Sequence, residues 1–428
     1  MLTDWMKRFR LGPAPDTLPW PIPLLPASAS GVKGKGVLRP KREDSKNTST
    51  SRIYFSVSSE GFGHSSRAMA IAKHCADDEV LIGSYSYALE RVEACGRPCV
   101  EIPQEYALVG SQGSFDLQQT LVQNHDRPLK LAQIVQHEMA LMSQYNISLV
   151  VADGRIAPVL AAARLNLPCV VITNQSAFYP FFAQDTPLVK LFGHSFEWVM
   201  QLWLSSAEEI LIPDFLPPDS VCLPNLSSNP QVKKRTRFVG PVVAWNAEEV
   251  PVLSRNEDAP LVVVTLGGHA FRRPLLDAVL EAARLEPSWQ FWVLTTFEVS
   301  NIPANVQCIH SPRDAAPYFK TADVVITQGG HSTAMELLTL GKPSVVVPDA
   351  SQVEQENNAR RLMELGVSLT LSYGTLTPHN IIKALNTLRS SPRAFHQARQ
   401  FAAQAVQLQG ARQAAQLLQH YAQRLSIY

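Results

Sequence analysis

Three glycine turns, each predicted to lie between a strand and a helix, are the segments of this sequence best suited to bind a phosphate group. They read Glu60-Gly61-Phe62-Gly63-His64, Gly267-Gly268-His269 and Gly329-Gly330-His331-Ser332. Glycine lets the backbone approach a ligand closely, and the unpaired N–H groups at a helix N-terminus favour an anion. An ordinary tight turn of an α/β fold is the alternative for each segment. None of them is a Walker P-loop or the GxGxxG dinucleotide fingerprint.

Polar side chains suited to sugar binding follow the third turn. Residues 331–338 are predicted to form a helix and residues 344–348 a strand, and a cluster rich in carboxylates and amides comes next. Because the carboxyl ends of parallel strands meet at one edge of a sheet, we expect the turn and the cluster to lie together. The turns would bind a diphosphate, while the cluster would reach sugar hydroxyls through directional hydrogen bonds. The candidate diphosphate residues are Gly267, Gly268, Gln328, Gly329, Gly330, His331 and Ser332, and the candidate sugar-binding residues are Glu354, Gln355 and Asn358.

His64 and Asp153 are the candidates for acid–base chemistry. A histidine titrates near neutral pH, and His64 lies in the first glycine turn, at the predicted edge of a cleft. Asp153 ends a different strand of the same predicted sheet, where it could accept a hydrogen bond from the imidazole and orient it. Two simpler roles stay open. His64 could shape the loop or contact phosphate, and Asp153 could be a turn or cap residue before Gly154.

Alternating strands and helices must position these residues. Apolar runs such as residues 147–154 alternate with segments of helical periodicity in both halves of the chain. This alternation predicts an α/β fold with two Rossmann-like, parallel-sheet domains that face a central cleft. The predicted divisions are a disordered, basic and proline-rich tail at 1–50, an N-terminal domain at 51–245, a linker at 246–260 and a C-terminal domain with terminal helices at 261–428.

Composition excludes several classes of function. The formal net charge is +1, so no overall basic field indicates nucleic-acid binding. The six cysteines are scattered without zinc spacing, which is typical of buried, reduced thiols in a cytoplasmic protein. No apolar stretch reaches the roughly 18 residues of a membrane helix. The N-terminus is not a convincing signal peptide, because it has no continuous apolar core.

Residues 327–359 resemble the donor domain of GT-B glycosyltransferases, the superfamily that contains family 28, the peptidoglycan enzyme MurG and the UDP-glycosyltransferases. Those enzymes carry a T-[HQ]-x-G turn, a glutamate on the following helix and a [DE]-Q-x-x-N-A element. The resemblance implies that the turn binds the donor diphosphate, that the glutamate contacts the ribose and that the last element contacts the donor sugar. Here the motifs read Thr327-Gln328-Gly329-Gly330, Glu336, and Glu354-Gln355 with Asn358-Ala359.

The first half is similar to a subgroup of family 28 transferases that reads GEGxGHxxR at the first glycine loop. The corresponding loop here is Gly61-Phe62-Gly63-His64-Ser65-Ser66-Arg67, and the resemblance covers roughly residues 52–410. It implies that the N-terminal domain binds the acceptor and that the C-terminal domain binds the nucleotide sugar. It places Gly61, Gly63, Arg67, Asn174 and Gln175 on the acceptor side, and His310, Arg313 and Glu336 around the nucleoside.

These features predict an inverting glycosyltransferase that moves a sugar from a UDP-sugar, or another nucleoside-diphosphate sugar, to an acceptor hydroxyl. No DxD motif or metal-ligand spacing is present, so we expect neither a metal nor a cofactor, and helix N-termini would stabilise the leaving charge. Two alternatives use the same fold: a nucleotide-sugar epimerase and a non-catalytic nucleotide-sugar-binding protein. An NAD-dependent dehydrogenase is disfavoured because its fingerprint is missing.

Residues 178–204 are unusually aromatic and lie near the predicted acceptor cleft. Most such stripes belong to a protein core. The alternative is a hydrophobic acceptor groove or a membrane-facing patch, which would suit a lipid-linked acceptor of the kind that MurG uses. We therefore expect a cytoplasmic protein with a lipid or small-molecule acceptor and an optional peripheral contact at the inner face of the membrane. The aromatic residues are Phe178, Phe181, Phe182, Phe192, Phe196, Trp198 and Trp203.

Overall fold

The fold is given by a computed structural model that describes residues 52–267, 272–310, 312 and 314–424. The predicted tail at 1–50 and two predicted site residues, Gly268 and Arg313, lie outside the described residues. The described strands are β1 (Arg52–Val57), β2 (Val80–Ser84), β3 (Cys99–Glu101), β4 (Gly110–Ser111), β5 (Ser114–Phe115), β6 (Ile147–Asp153), β7 (Cys169–Ile172), β8 (Glu209–Ile212), β9 (Thr236–Phe238), β10 (Leu261–Thr265), β11 (Gln290–Thr295), β12 (Val306–His310), β13 (Val324–Thr327), β14 (Ser344–Val346) and β15 (Ser368–Thr370).

Two parallel sheets form the frame of the molecule. The first half of the chain builds seven strands in the order β3-β2-β1-β6-β7-β8-β9, and the second half builds six in the order β12-β11-β10-β13-β14-β15. The central strands of both sheets are nearly continuous runs of buried apolar residues, as expected when helices cover both faces. The register pairs Val57 with Asp153, so the ends of β1 and β6 lie side by side. The predicted α/β fold with two Rossmann-like sheets is confirmed.

Helices follow the strands and cover the sheets. Several begin with a proline in the first turn, where the missing N–H is tolerated. The described helices are α1 (Phe62–Ala72), α2 (Ser86–Ala94), α3 (Leu117–Gln123), α4 (Arg127–Gln144), α5 (Ala157–Leu165), α6 (Pro187–Ser205), α7 (Pro230–Arg235), α8 (Arg273–Leu285), α9 (Ala316–Thr321), α10 (His331–Thr339), α11 (Val353–Glu364), α12 (Pro378–Arg389), α13 (Pro392–Leu408) and α14 (Gly410–Arg424).

The last helix, α14, packs against the first sheet rather than the second. Its inward positions carry small or apolar residues one helical turn apart, and they are buried in the same core as β1, β6 and α1. The sequence predicts one C-terminal domain over 261–428, and the structure differs from it at this helix. The apolar stripe of α14 needs a partner surface, and the first sheet supplies it. The buried residues of the stripe are Ala411, Ala414, Ala415, Leu418 and Ala422.

A segment of the first half, in turn, packs into the core of the second. We call residues 214–225, which follow β8, the crossing segment. Its Phe215 and Val221 are fully buried in a cluster with residues of α10, α11 and α13. The rings of Phe215 and Phe401 meet edge to face with their centroids 4.9 Å apart. The two halves therefore exchange elements, and each contributes to the hydrophobic core of the other.

The short hairpin formed by β4 and β5 also reaches the second half. The backbone N–H of Phe115 donates to Ala350 O at 2.8 Å, and the N–H of Ala350 donates to Gly113 O at 2.8 Å. These contacts form a parallel β-bridge between Ser114 and Ala350, next to the start of α11.

None of the helices in the described part of the chain combines the length and the apolarity of a membrane span.

Candidate active site

His64 lies in the first turn of α1, and its side chain is 23% exposed. Its Nδ1 is 2.6 Å from Oδ1 of Asp153, which ends β6 and is fully buried. Because a carboxylate can only accept, the Nδ1–H of His64 donates to Asp153, and Nε2 keeps its lone pair. An imidazole in this tautomer is arranged to take a proton.

Asp153 is ionised although it is buried. Burial raises the pKa of a carboxyl group, but the Arg67 guanidinium and His64 outweigh that effect and hold the pKa of Asp153 below its usual value. Arg67 donates from Nη2 to Oδ1 at 2.6 Å and from Nε to Oδ2 at 3.1 Å. The sequence predicts Arg67 on the acceptor side, whereas the structure buries it against Asp153. A buried carboxylate needs such a fixed cation, so Arg67 orients the carboxylate instead.

The loop after β6 is fixed on both sides of the imidazole. A Cβ on Gly154, whose φ is +70°, would lie 2.8 Å from Cε1 of His64, so only glycine lets the ring approach this closely. Arg155 is fully buried and donates to Glu138 at 3.1 Å. The carboxylate of Glu105 accepts from the N–H groups of residues 156 and 157, at the start of α5. The position of Asp153 is therefore set by a buried ionic network and by the helix that follows.

A chain of hydrogen bonds leads from this pair across the cleft. Arg67 Nη1 donates to Asn174 Oδ1 at 3.1 Å, and Asn174 Nδ2 donates to Glu354 Oε1 at 2.8 Å. Glu354 lies in the first turn of α11, in the second half. The acceptor-side residue and the predicted sugar-binding residue therefore meet directly. Gln175 does not join them, because its side-chain amide donates to Ala177 O within its own loop.

The first glycine turn also touches the third. Gly61 lies directly before α1, and a Cβ on Gly63 would lie 2.3 Å from Oγ of Ser332. Ser332 is in the first turn of α10, which begins at His331 directly after Gly330. The unpaired backbone N–H groups at the start of α10 form the partially positive end of the helix dipole. Phosphate groups commonly bind at such helix N-termini. The candidate base and the helix end predicted to bind phosphate thus lie on adjacent loops.

Side chains of the donor half partly differ from the prediction. His331, predicted to contact the diphosphate, is buried, and its Nε2 lies 3.1 Å from Asp214 Oδ2. Asn358, predicted to contact the sugar, is buried and donates to Gly329 O at 3.0 Å. Both side chains hold the turn in shape through these hydrogen bonds. Backbone N–H groups and Ser332 are left to contact a phosphate.

A second buried network supports the turn after β10. Arg272 donates from Nε to both oxygens of Asp349, at 3.0 Å each, and from Nη1 to Leu266 O, beside Gly267. Gln355 accepts from the N–H of Asp349 at 2.9 Å and donates to its Oδ2 at 3.1 Å. The side chain of Gln355 is thus used to position Asp349, not directed only at a sugar as predicted. Arg272 and Asp349 have no motif that would single them out in the sequence.

Gln328 and the predicted nucleoside residues occupy the strand ends of the second sheet. Gln328 donates from its amide to Thr265 O at 2.8 Å, which ties the third turn to β10. His310 is exposed at the end of the edge strand β12. Glu336 is on α10, and burial, together with the nearby Asp314, raises its pKa to about 7. A carboxyl group with that pKa can donate as well as accept at neutral pH, which suits the paired hydroxyls of a ribose.

One group of potential metal ligands lies together among the described residues. The ligand atoms of Asp214, Cys222 and His331 are within 4.8 Å of one another. Burial and the neighbouring Asp214 raise the pKa of the Cys222 thiol well above its usual value, whereas metal ligation needs the thiolate. Asp214 already accepts hydrogen bonds from Ser220, Cys222 and His331. We therefore assign this group as a hydrogen-bonded cluster.

The cysteines are all unpaired. Cys75, Cys169 and Cys222 are buried, as the sequence predicts, but Cys95 is exposed near the end of α2.

Of the aromatic stretch at 178–204, Phe182 is buried, and Phe178 and Trp203 pack against the core of the first half. Phe192 and Trp198 are exposed on α6 instead. The core interpretation therefore holds for one part of this stretch only.

Known proteins resemble this chain over most of its length. Residues 296–418 match the glycosyltransferase family 28 C-terminal domain. An uncharacterized glycosyltransferase of Methanosarcina acetivorans is 33% identical over 333 residues, which cover 76% of this chain and 86% of the relative. The crystal structure of the glycotransferase of kitacinnamycin superimposes with a TM-score of 0.66 at 19% identity and covers 87% of this chain and 100% of that chain.

Two further matches have informative names. The UDP-N-acetylglucosamine--N-acetylmuramyl-(pentapeptide) pyrophosphoryl-undecaprenol N-acetylglucosamine transferase of Nitrobacter hamburgensis is 27% identical over 161 residues, 34% of this chain and 44% of the relative. A spinosyn rhamnosyltransferase complexed with thymidine diphosphate superimposes with a TM-score of 0.60 at 17% identity, covering 86% of this chain and 100% of that chain. Three findings indicate the same family: the length and identity of the Methanosarcina match, the family 28 domain and the two parallel sheets. This chain therefore belongs to the family 28-like glycosyltransferases of the GT-B fold.

Proposed function

We propose that this glycosyltransferase moves a sugar, with inversion, from a nucleoside-diphosphate sugar to an acceptor hydroxyl at the cleft between the two sheets. The observation that carries the proposal is the position of the His64–Asp153 pair beside the N-terminus of α10. Gly63 approaches Ser332 there, and Asn174 bonds Glu354. A base on one wall and a phosphate-binding helix end on the other are what transfer from a diphosphate needs.

The transfer is a single displacement. The acceptor oxygen attacks the anomeric carbon while Nε2 of His64 takes the hydroxyl proton. The bond between the anomeric carbon and the phosphate oxygen breaks, and the nucleoside diphosphate leaves with the electron pair. Asp153 accepts from Nδ1 throughout, so it stabilises the imidazolium that forms. Attack from the face opposite the leaving group inverts the anomeric centre.

The leaving diphosphate would be stabilised by the start of α10. The N–H groups of the first helical turn carry a partial positive charge. Its stabilising effect increases as negative charge develops on the phosphate oxygen. Neither a metal nor a cofactor enters this step. Glu354 would bind donor-sugar hydroxyls when the donor enters, exchanging its hydrogen bond with Asn174 for one with the sugar.

UDP is the nucleotide that we propose first. The Nitrobacter relative is named for UDP-N-acetylglucosamine, while the spinosyn enzyme is complexed with thymidine diphosphate. Both nucleotides have a pyrimidine base and a diphosphate, so the shared requirement is a pyrimidine nucleoside diphosphate. Glu336, with its pKa raised to about 7, is the proposed ribose contact, and His310 is the proposed base contact. A ribose with two hydroxyls gives Glu336 more to bind than a deoxyribose does.

A lipid-linked acceptor is supported by one exposed face of α6. Six large apolar side chains recur on this face at helical spacing, and Leu191 and Trp198 among them are 57% and 52% exposed. An apolar stripe of this kind on a protein surface indicates an interaction site. The full set is Leu188, Leu191, Phe192, Trp198, Val199 and Leu202.

The basic end of the neighbouring helix favours an anionic bilayer as the partner of this stripe. Helix α7, which packs against α6, ends in Lys233, Lys234 and Arg235, and both lysines are exposed. Basic side chains beside an apolar face are typical of surfaces that lie on anionic lipid. On α6, Gln201 donates to Ser176 O, which ties the helix to the loop that carries Asn174. The proposed membrane surface is therefore adjacent to the acceptor side of the cleft.

The proposal is tested with the full chain and a panel of nucleotide sugars in EDTA. A bound nucleotide at about 100 times its dissociation constant should stabilise the fold by roughly 2.7 kcal/mol in a thermal-shift assay. The best donor is then incubated with a polyprenyl-linked sugar that carries free hydroxyls, and the anomeric configuration of the product is read by NMR. We expect an inverted product formed in EDTA. A retained configuration, strict dependence on Mg²⁺ or Mn²⁺, or an epimer formed from donor alone would each contradict the proposal.

A further inference from the structure

The crossing segment places a carboxylate against the start of α10. Asp214 is fully buried, and four groups donate to it: the N–H of Phe215 at 2.7 Å, the hydroxyl of Ser220 at 3.0 Å, the N–H of Cys222 at 2.8 Å and Nε2 of His331 at 3.1 Å. Burial opposes its ionisation, but the contact with His331 and the other donors hold the pKa of Asp214 below its usual value. Three of the four donors belong to the crossing segment itself. The carboxylate is therefore already oriented when it receives His331.

The other end of the same segment reaches the glycine turn by a second route. Asn225 donates from Nδ2 to Asn358 Oδ1 at 2.9 Å, and Asn358 donates from Nδ2 to Gly329 O at 3.0 Å. Asn225 and Asn358 are both almost completely buried, so neither bond competes with bulk water. Asn357 adds a third bond, to Asn225 Oδ1 at 2.8 Å. The turn is thus held at Gly329 and at His331.

The backbone of the turn has little freedom while these bonds are in place. Phe215 and Val221 anchor the segment in the core beneath α10, next to Ala334, Met335 and Leu338. Phosphate binding at a helix N-terminus depends on several N–H groups that point at one place, and a displacement of about 1 Å can cost on the order of 100-fold in rate. A segment of the first half of the chain therefore fixes the position of a turn that belongs to the second half.

We propose that Asp214 and Asn225 are positioning residues for the donor diphosphate, acting through His331 and through Asn358 on the Gly329–His331 turn. The inference rests on the proposed function, since it takes that turn as the phosphate site. It assigns a role to the crossing segment that none of the predicted site residues has. The buried side chain of His331 then serves the site through Asp214, and its backbone N–H serves it directly.

The test compares two substitutions of one residue. His331→Gln keeps a donor for Asp214, whereas His331→Leu fills similar volume without one. We expect His331→Leu to weaken binding of UDP about 10-fold or more and His331→Gln to stay within about 3-fold of wild type, with the acceptor KM unchanged in both. Asp219→Asn is the matched control, because Asp219 lies in the same segment but accepts from Gln404 on α13. It should bind UDP as the wild type does.

Hydrogen exchange of the backbone amides at 328–334 gives a readout that needs no donor. We expect faster exchange there in His331→Leu and in the milder Asn225→Ser, with the rest of the chain protected as in wild type. Wild-type exchange in both variants would overturn the inference, and so would equal weakening of UDP binding by leucine and glutamine. If wild-type protein binds no nucleoside diphosphate, the proposed function fails, while the exchange result still decides whether the segment positions the turn.

Discussion

Asp153 is the carboxylate that both His64 and Arg67 contact in the first half of the chain. It accepts from His64 and from two nitrogens of Arg67, and all of these bonds are shorter than 3.2 Å. A carboxylate in this setting can hold the imidazole in one tautomer without being protonated itself. The same contacts link catalysis to stability, because the buried cation of Arg67 depends on this anion.

We expect Asp153→Asn to lower the free energy of unfolding by about 3–5 kcal/mol at neutral pH, because it leaves buried Arg67 without its anion. The folded-state pKa of Asp153 is below the unfolded one, so this contribution is present above the unfolded pKa and is lost as pH falls through the folded value. As the pH falls below about 5, the gap between the free energies of unfolding of wild type and variant should narrow. Urea unfolding across pH measures it.

Asp258→Asn, in an exposed loop, is the matched control for this series and should change the free energy of unfolding by less than about 0.5 kcal/mol. The role given to Asp153 would be contradicted by a gap in the free energy of unfolding that widens as the pH falls below about 5. A variant as stable as the wild type at pH 7 would contradict it as well.

At the scale of single elements, α6 shows what local sequence can predict. It predicts the helix, but it does not predict which face of the helix is buried. The segment is apolar and has helical periodicity, so a helix is predictable. Its two apolar faces look alike in sequence. The face with Met200 and Leu204 is buried, and the face with Leu191 and Trp198 is exposed. Only the packing of α6 on the first sheet distinguishes them.

We expect the full chain to float with vesicles of phosphatidylglycerol and phosphatidylcholine, and Leu191→Glu with Trp198→Glu to stay with the unbound protein. The double variant removes two exposed apolar side chains and adds charges that anionic lipid repels. Leu285→Glu with Val406→Glu is the control, since both residues are about half exposed on helices of the second half. Binding to neutral vesicles alone, or equal flotation of both double variants, would contradict a membrane role for this face.

The same limit explains which site residues could be predicted. Glycine turns, strand ends and the residues next to them are local features, so His64, Asp153 and the third turn could be identified in the sequence. The partners of the turn could not. Asp214 is 117 positions from His331, and Asn225 is 133 positions from Asn358. No periodicity or motif links such pairs, because they meet only when one half packs into the other.

At the scale of the whole molecule, the two halves are joined by exchange as well as by a linker. Helix α14 of the second half completes the core of the first, and the crossing segment of the first half enters the core of the second. Asn174 and Glu354 connect the walls of the cleft, and the hairpin at Gly113 bonds to Ala350. The proposed active site, made from both halves, is therefore held together by contacts on several sides, and these contacts set the position of His64 relative to the Gly329–His331 turn.

Single-turnover transfer with His64→Ala measures whether His64 is the base of a transfer from a donor that the other half binds. We expect the transfer rate to fall by about 10²–10⁴-fold, while the dissociation constant for UDP stays within about 2-fold of wild type. His74→Ala, at an exposed histidine just after α1, should leave both unchanged. A loss of only a few-fold in the transfer rate of His64→Ala, with UDP binding intact, would mean that His64 is not the base.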